Sequence, residues 1–227
     1  MTNSPGLAVI PLNCGQLQFI RSCFSGKPQD AVLELPVFSF LIIHPGGLLL
    51  FDTGLPPLLW SGPSALELIP GLTARRGNSG GLIREIEKQG YVPEDISWVV
   101  NSHNHPDHAG GNSLITGAHY IMQGRKEWIK EDYDLFKDGS ILLLPTPGHS
   151  NDHLSMLIRG GNKQVLLTGD ACFRPHNLKD GNLPLILEDR EEAIKSLERL
   201  RSISNVRETM VLASHDPLAV GEKISLD

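Results

Sequence analysis

The densest group of potential metal ligands in the sequence lies in the segment NSHNHPDHAGGN, residues 101–112. His103, His105, Asp107 and His108 fall within six positions of it. Imidazole nitrogens and carboxylate oxygens are ligands that Zn²⁺ and other divalent transition metals accept. The spacing H-x-H-x-D-H therefore indicates a metal site, and the alternative is a polar loop with solvated histidines. Whether the rest of the sequence offers further metal ligands decides between the two.

Three more potential ligands follow apolar runs that are predicted to be β-strands. His149 comes after ILLL, Asp170 after QVLLT and His215 after MVLA, much as the first group follows WVV. Loops held by a rigid sheet commonly carry binding sites. We therefore expect the seven side chains to meet at the carboxyl ends of four strands.

The composition of this set, five histidines and two aspartates, indicates catalytic metal chemistry. Zinc is the first choice, and iron, cobalt or manganese would also suit. Seven ligands are too many for one tetrahedral ion, but they suit two ions that share a carboxylate and keep positions open. A cysteine-rich structural zinc site is excluded, because the set holds no thiol. Open positions imply a bound water that ionises near neutral pH and attacks an electrophile.

The elements that must position these loops are short apolar strands and amphipathic helices. The runs VFSFLII and GLLLF flank HPGG, which predicts a hairpin. Two helices are predicted, Gly81–Gln89 and Glu188–Ile203. The second should start near Asp189 and bury a face of Ile194, Leu197, Leu200 and Ile203. The predicted strands are Leu7–Leu12, Val37–Ile43, Leu48–Phe51, Trp98–Asn101, His119–Met122, Ile141–Leu144, Leu154–Ile158, Gln164–Thr168 and Met210–Ala213. Together they indicate sheets covered by helices.

One segment, Pro56–Asn78, departs from this regular pattern. It is rich in Pro and Gly, yet it contains several Leu and Trp60. It is either a lid or substrate loop, or a packed connector.

Composition restricts the class of protein. A chain of 227 residues suits a single domain, residues 1–227, and the net charge of −6 gives no electrostatic footprint for nucleic acid. No secretory signal and no apolar run of membrane-spanning length is present. Three cysteines without C-x-x-C spacing suit a reducing compartment, with Cys14, Cys23 and Cys172 as buried or idle thiols. We expect a cytoplasmic monomer or homodimer that acts on a small molecule and binds neither nucleic acid nor membrane.

The motifs together resemble those of the metallo-β-lactamase superfamily. The match rests on H-N-H-P-D-H at 103–108, P-G-H-S at 147–150, G-D at 169–170, S-H-D at 214–216 and F-D-T-G at 51–54. They occur in the family's order and cover nearly the whole chain. The resemblance implies an αβ/βα sandwich, in which two mixed β-sheets lie face to face with helices on the outer faces.

The resemblance also implies a role for each ligand. His103, His105 and His149 would hold one ion, Asp107, His108 and His215 would hold the second, and Asp170 would bridge both. A hydroxide between the ions would attack the substrate carbonyl, and Asp107 or a metal-bound water would give a proton to the leaving alkoxide. Asp107 and Asp170 are thus the expected catalytic carboxylates. Asp52 resembles the family's carboxylate that orients ligand imidazoles, and the alternative is that it caps its own turn.

Within the superfamily, two branches match best. The runs T-P-G-H-S and S-H-D resemble N-acyl-homoserine lactonases, the quorum-quenching enzymes. T-G-D-x-x-F at 168–173 resembles glyoxalase II thioesterases, which usually add a C-terminal helical domain. This chain ends twelve residues after His215, which favours the lactonase. One departure from the lactonase pattern is Phe173. Many lactonases have a Tyr at this position, whose hydroxyl can donate a hydrogen bond to the substrate carbonyl.

The expected substrate contacts are Trp60, Phe173 and His176. The histidines outside the set, His44, His119 and His153 among them, are expected to be surface or satisfied polar residues. Two further alternatives stay open: a non-hydrolytic metal-binding or ligand-sensing protein, and a redox protein with a single iron.

Overall fold

The structure is a computed structural model that describes residues 6–20, 32–63, 65–121, 129–184, 186–206, 208–217 and 222–226. Within these ranges two mixed β-sheets, of eight and five strands, pack against each other. Helices cover their outer faces. The predicted αβ/βα sandwich is confirmed. No described helix has the length and apolar character needed to cross a membrane.

Side-chain alternation explains the layers, since successive residues of a strand point to opposite faces. In the second strand Phe38, Phe40 and Ile42 point into the core between the sheets, whereas Leu41 and Ile43 point to the outer helices. The first strand alternates in the same way. Burial on both faces makes these strands nearly continuous apolar runs, which is why they could be predicted from sequence.

The larger sheet has the order β4-β5-β1-β2-β3-β6-β7, and β13 pairs with β1. β3–β6 and β6–β7 are parallel and the other pairs are antiparallel. Its strands are β1 Ala8–Ile20, β2 Val32–His44, β3 Gly47–Phe51, β4 Ala65–Ile69, β5 Leu72–Arg75, β6 Ile96–Val100, β7 His119–Ile121 and β13 Ile224–Ser225. The predicted hairpin is present, because His44 pairs with Gly47 across a two-residue turn.

The smaller sheet has the order β12-β11-β10-β9-β8, in which only β11–β12 is parallel. Its strands are β8 Tyr133–Asp134, β9 Ile141–Pro145, β10 Leu154–Gly160, β11 Lys163–Leu167 and β12 Glu208–Leu212.

The described α-helices are α1 Leu58–Ser61, α2 Leu82–Lys88, α3 Pro106–Ala109, α4 Pro175–Asp180 and α5 Arg190–Ser204. Three short 3-10 helices cover Pro93–Asp95, Asn112–Leu114 and Gly169–Ala171. The Asp189 carboxylate caps α5 by accepting from the backbone N–H of Glu191 (2.9 Å) and Glu192 (3.1 Å). This confirms the predicted start.

The predicted buried face of α5 is wrong at one position. Ile194 is 40% exposed, whereas Ala193 and Ser196 are buried together with Leu197 and Leu200. The close approach of the α5 backbone to Gly148 explains the difference: a Cβ atom at Gly148 would lie 2.3 Å from the Ala193 nitrogen. That contact turns Ala193 inward and its neighbour outward.

All nine predicted strands are present, with shifted ends. Asn101, Thr168 and Ala213 fall after their strands rather than in them, and Met122 lies outside the described residues, as does Cys23. β1 and β2 extend well beyond their predicted lengths. The segment 56–78 contains α1 and the β4–β5 hairpin, which pairs with β1 through β5. Leu72 and Ala74 of β5 are buried in the outer core, so the segment packs onto the sheet, and Leu72 also borders the cavity above the candidate ligands described below.

Candidate metal centre

The seven predicted ligands follow the carboxyl ends of four strands and meet in one place. β6 leads into the loop with His103 and His105 and then into α3 with Asp107 and His108. The loops after β9, β11 and β12 carry the other three, His149, Asp170 and His215. Six of the seven are buried and His105 is half-buried.

The ligand atoms form overlapping groups of three, each within 4.8 Å of one another: His103/His105/His149, His103/His108/Asp170 and Asp107/His108/His215. Asp170 reaches both ends of the cluster. Its Oδ2 lies 3.3 Å from His149 Nε2, and its Oδ1 lies 3.2 Å from the Nε2 atoms of His108 and His215. One carboxylate thus stands between two groups of ligands.

Two of the imidazoles, those of His149 and His215, are held by backbone carbonyls on the outer side, so that Nε2 faces the centre. His149 Nδ1 lies 2.9 Å from the Ile186 carbonyl, and His215 Nδ1 lies 2.8 Å from the Pro36 carbonyl. A carbonyl oxygen only accepts, so Nδ1–H must donate, which leaves the Nε2 lone pair of the neutral ring directed inward. Outer contacts of this kind typically fix metal-binding histidines.

Two buried atoms at the centre, His108 Nε2 and Asp170 Oδ1, lie 3.2 Å apart, yet neither makes a well-directed hydrogen bond to any described residue. Buried polar atoms normally make hydrogen bonds, so two unsatisfied ones side by side need an explanation. A cation between them would satisfy both. The nitrogen and oxygen donors, their convergence and these unsatisfied atoms fit a dinuclear centre of divalent ions.

Electrostatics support the same conclusion. Burial lowers the pKa of His103 well below its usual value, and repulsion from His108 adds to this. Burial opposes charge on His215, but Asp170 and Asp107 outweigh it and raise the pKa of His215 to about 10. The two carboxylates therefore attract positive charge strongly, and a divalent cation would compete with protons for the same position.

Asp52 contacts the ligand loop rather than capping its own turn. It is fully buried, and its Oδ2 accepts from His108 Nδ1 at 2.7 Å. Oδ1 accepts from the backbone N–H of Ser102 at 2.6 Å, and Oδ2 accepts from Ser102 Oγ at 2.8 Å. Its φ of 64° lies in the left-handed region, which Asp tolerates better than most residues. This geometry favours the orienting role.

Among the other histidines, His153 differs most from expectation. It is satisfied, as predicted, but it is buried beside the centre rather than on the surface, and its Nε2 accepts from the backbone N–H of Asp170 at 2.9 Å. His44 is buried far from the ligands and stacks on Phe136, while His119 is exposed. No local signal in the sequence distinguishes His153 from these two.

A small cavity of about 30 Å³ lies directly above the ligands, and its apolar walls are Leu17, Phe19, Leu35, Leu72, Phe173 and Ile186. It shares Phe19, Leu35 and Phe173 with an adjoining cavity of about 350 Å³ that His176 also lines. The Phe173 ring centroid lies 5.2 Å from that of His215. A larger cavity, about 570 Å³, lies elsewhere and is lined by none of the seven ligands.

Two of the three predicted substrate contacts therefore lie near the ligands. Phe173 borders both cavities and the exposed His176 borders the outer one. The described linings of these cavities do not include Trp60. That ring packs against the outer core, where a Cβ atom at Gly81 would lie 2.7 Å from it.

Comparison with known proteins agrees with this geometry. The family described as the metallo-beta-lactamase superfamily matches residues 32–127 and 124–215. The chain belongs to the metallo-β-lactamase superfamily. Among its superfamily relatives, an N-acyl homoserine lactonase of Bacillus cereus is 31% identical over 214 residues, 82% of this chain and 83% of the relative. One from Rhizobium radiobacter is 29% identical over 230 residues, 81% of this chain and 83% of the relative.

Solved structures of the superfamily show the same fold. The crystal structure of a quorum-quenching N-acyl homoserine lactone hydrolase superposes with a TM-score of 0.75 at 25% identity and covers 93% of each chain. The predicted recognition of the family is confirmed.

Proposed function

We propose that this protein is a dinuclear metal-dependent lactonase that opens N-acyl-homoserine lactones. The observation that carries the proposal is the joining of two ligand groups by the Asp170 carboxylate at the base of an apolar cavity. Relatives named as N-acyl homoserine lactonases, similar over four fifths of the chain, support the substrate class.

In this proposal His103, His105 and His149 would hold one ion, Asp107, His108 and His215 would hold the other, and Asp170 would be shared between them. Zinc suits this nitrogen and oxygen donor set, although iron, cobalt and manganese share its preferences. When bound, the ions supply Lewis acidity, which polarises the lactone carbonyl and makes water nucleophilic at neutral pH.

Asp107 is the protein group that transfers a proton during ring opening. The balanced reaction adds one water: a bond forms between the water oxygen and the carbonyl carbon, and the ring C–O bond breaks. Asp107, whose Oδ2 lies 3.4 Å from His108 Nε2 and from His215 Nε2, takes a proton from the water and returns it to the ring oxygen. The product acid ionises at neutral pH, so each turnover releases one proton.

The cavity walls suit an acyl chain. Leu17, Leu35 and Leu72 line the space above the ligands, and the adjoining cavity of about 350 Å³ is lined mainly by Phe19, Val32, Leu33 and Leu183. Each Å² of apolar acyl-chain surface buried against these walls would contribute about 25 cal/mol to the free energy of binding. Phe173 excludes water from one side of the site but cannot donate a hydrogen bond, so the carbonyl receives none from this residue.

The experiment is proton release measured at neutral pH with zinc-loaded protein. N-acyl-homoserine lactones should be opened, and Asp170→Asn, the matched control, should be inactive. S-lactoylglutathione belongs in the same series as a thioester. If it is cleaved far better than every lactone, the protein is a glyoxalase II-like thioesterase. If neither class is cleaved and metal still binds, a non-hydrolytic role replaces the proposal.

A further inference from the structure

A buried chain of hydrogen bonds joins three strand ends beneath the metal ligands. Asp170 N lies 2.9 Å from His153 Nε2, and His153 Nδ1 lies 2.8 Å from Thr146 Oγ1. Thr146 Oγ1 lies 2.9 Å from Ser155 Oγ, which lies 3.1 Å from the Thr168 carbonyl. These residues follow or begin β9, β10 and β11, and Thr146, His153, Ser155 and Thr168 are each at most 1% exposed.

The direction of every bond in this chain is determined. A backbone N–H can only donate, so His153 Nε2 must accept from Asp170, and the ring proton of the neutral imidazole sits on Nδ1. That proton goes to Thr146 Oγ1. At the far end the Thr168 carbonyl can only accept, so Ser155 donates to it and Thr146 donates to Ser155. Every donor of the chain has an acceptor, and a single tautomer of His153 satisfies all of these bonds.

The ring also fills the space under the turn that carries Asp170. Gly169 has a φ of 52°, and a Cβ atom there would lie 2.7 Å from His153 Nε2. The main chain of the same histidine is held on both sides, since its carbonyl accepts from Thr146 N (2.9 Å) and the next N–H, of Leu154, donates to the Ser102 carbonyl (2.7 Å). The position of His153 is therefore fixed by its main chain, and the turn that carries Asp170 packs against its ring.

We propose that His153 is a positioning residue for the metal centre: its Nε2 holds the peptide N–H of Asp170, and this aims the carboxylate between the two groups of ligands. It binds no ion itself. The inference rests on the metal centre proposed above. A carboxylate shared by two ions has little tolerance for rotation, because its two oxygens must each meet a different ion. Losing an outer contact of this kind typically costs about 10- to 100-fold in metal affinity.

The test compares His153→Leu, which removes the acceptor, with His153→Gln, whose amide oxygen can accept from Asp170 N. Thr146→Val is a milder variant, because it leaves the acceptor for Asp170 N in place and removes only the Thr146 hydroxyl, which accepts from His153 Nδ1 and donates to Ser155. The matched control is His44→Leu. His44 is also buried and also accepts from a backbone N–H, that of Gly46 at 2.9 Å, but it lies away from the ligands.

Each variant is titrated with Co²⁺ while its visible absorption and melting temperature are recorded. We expect His153→Leu to bind Co²⁺ about 10- to 100-fold more weakly with an altered spectrum, His153→Gln to recover most of the affinity, and Thr146→Val to fall between them. His44→Leu should lose thermal stability while its spectrum stays that of the wild type.

Wild-type affinity and spectrum in folded His153→Leu would overturn the inference. So would equal impairment of the Leu and Gln variants, since volume rather than the acceptor would then matter. If His153→Leu does not fold, an unchanged spectrum in Thr146→Val together with an impaired Gln variant would overturn it. A wild-type protein that binds fewer than two ions would instead contradict the metal centre, and the positioning role with it.

Discussion

Replacing Asp52 with Asn should weaken one metal site and leave the other intact. The Asp52 carboxylate accepts from Ser102 N at 2.6 Å and from His108 Nδ1 at 2.7 Å. In Asp52→Asn the amide oxygen can replace only one of these acceptors. If it keeps Ser102 N, the amide NH₂ faces His108 and donates to Nδ1. The ring proton then moves to Nε2, where it blocks the lone pair that would bind an ion.

The size of the effect follows from the bond that is lost. A hydrogen bond to a charged group contributes about 1.5–3 kcal/mol. At about 1.4 kcal/mol per tenfold, this corresponds to roughly 10- to 100-fold in affinity, the range typical of contacts behind metal ligands. The site of Asp107, His108 and His215 should weaken by this factor, because in the assignment proposed above His108 would hold only that ion.

The assay is competition for Zn²⁺ with a chromophoric chelator, which resolves two affinities. Asp138→Asn is the control, since Asp138 also accepts from a backbone N–H, that of Ser140 at 2.9 Å, but its side chain is 50% exposed and far from the ligands. The control should bind both ions as the wild type does. Two unchanged affinities in Asp52→Asn would refute the orienting role.

Four further outcomes are expected. Asp170→Asn should keep its circular dichroism spectrum while metal content and turnover collapse, and retained activity with unchanged metal would refute its bridging role. Phe173→Tyr should raise lactone turnover by a few-fold up to roughly tenfold at unchanged metal content, the effect of one hydrogen bond of about 0.5–1.5 kcal/mol. Loss of metal without gain would mean that the hydroxyl does not reach the carbonyl. Burial raises the pKa of both Cys14 and Cys172 to about 12, so neither thiol should react with iodoacetamide at pH 8 before unfolding. Because these thiols ionise near 9 when unfolded, the melting temperature should fall as pH rises from 9 towards 12, and a flat profile would contradict their burial.

The clustering of the seven candidate ligands could be predicted from sequence, because each follows the end of a recognisable strand. Each stands within a few residues of the carboxyl end of an apolar strand. β9, β11 and β12 end at the same edge of the smaller sheet, and β6 of the larger sheet ends next to them. The long runs in β2 and β10 likewise identify buried strands. The D-T-G context of Asp52 predicts an orienting carboxylate, and the structure shows that this carboxylate contacts His108.

Other features depend on contacts between distant segments. β4 and β5 are short and lie in a stretch rich in Pro and Gly, and their strand structure depends on pairing with β1, some fifty residues earlier in the chain. The exposure of Ile194 depends on the approach of Gly148 to α5. The contact of His153 with Asp170 requires three strands in register, so no pattern around position 153 could reveal it.

The most direct test of the dinuclear lactonase is one titration. Metal-free protein receives Zn²⁺ in fractions of an equivalent while proton release from an N-acyl-homoserine lactone is followed at neutral pH. The two ligand groups joined by Asp170 predict that turnover rises to its full value only as the second equivalent is added. Full turnover at one equivalent, or no ring opening at two, would contradict this account.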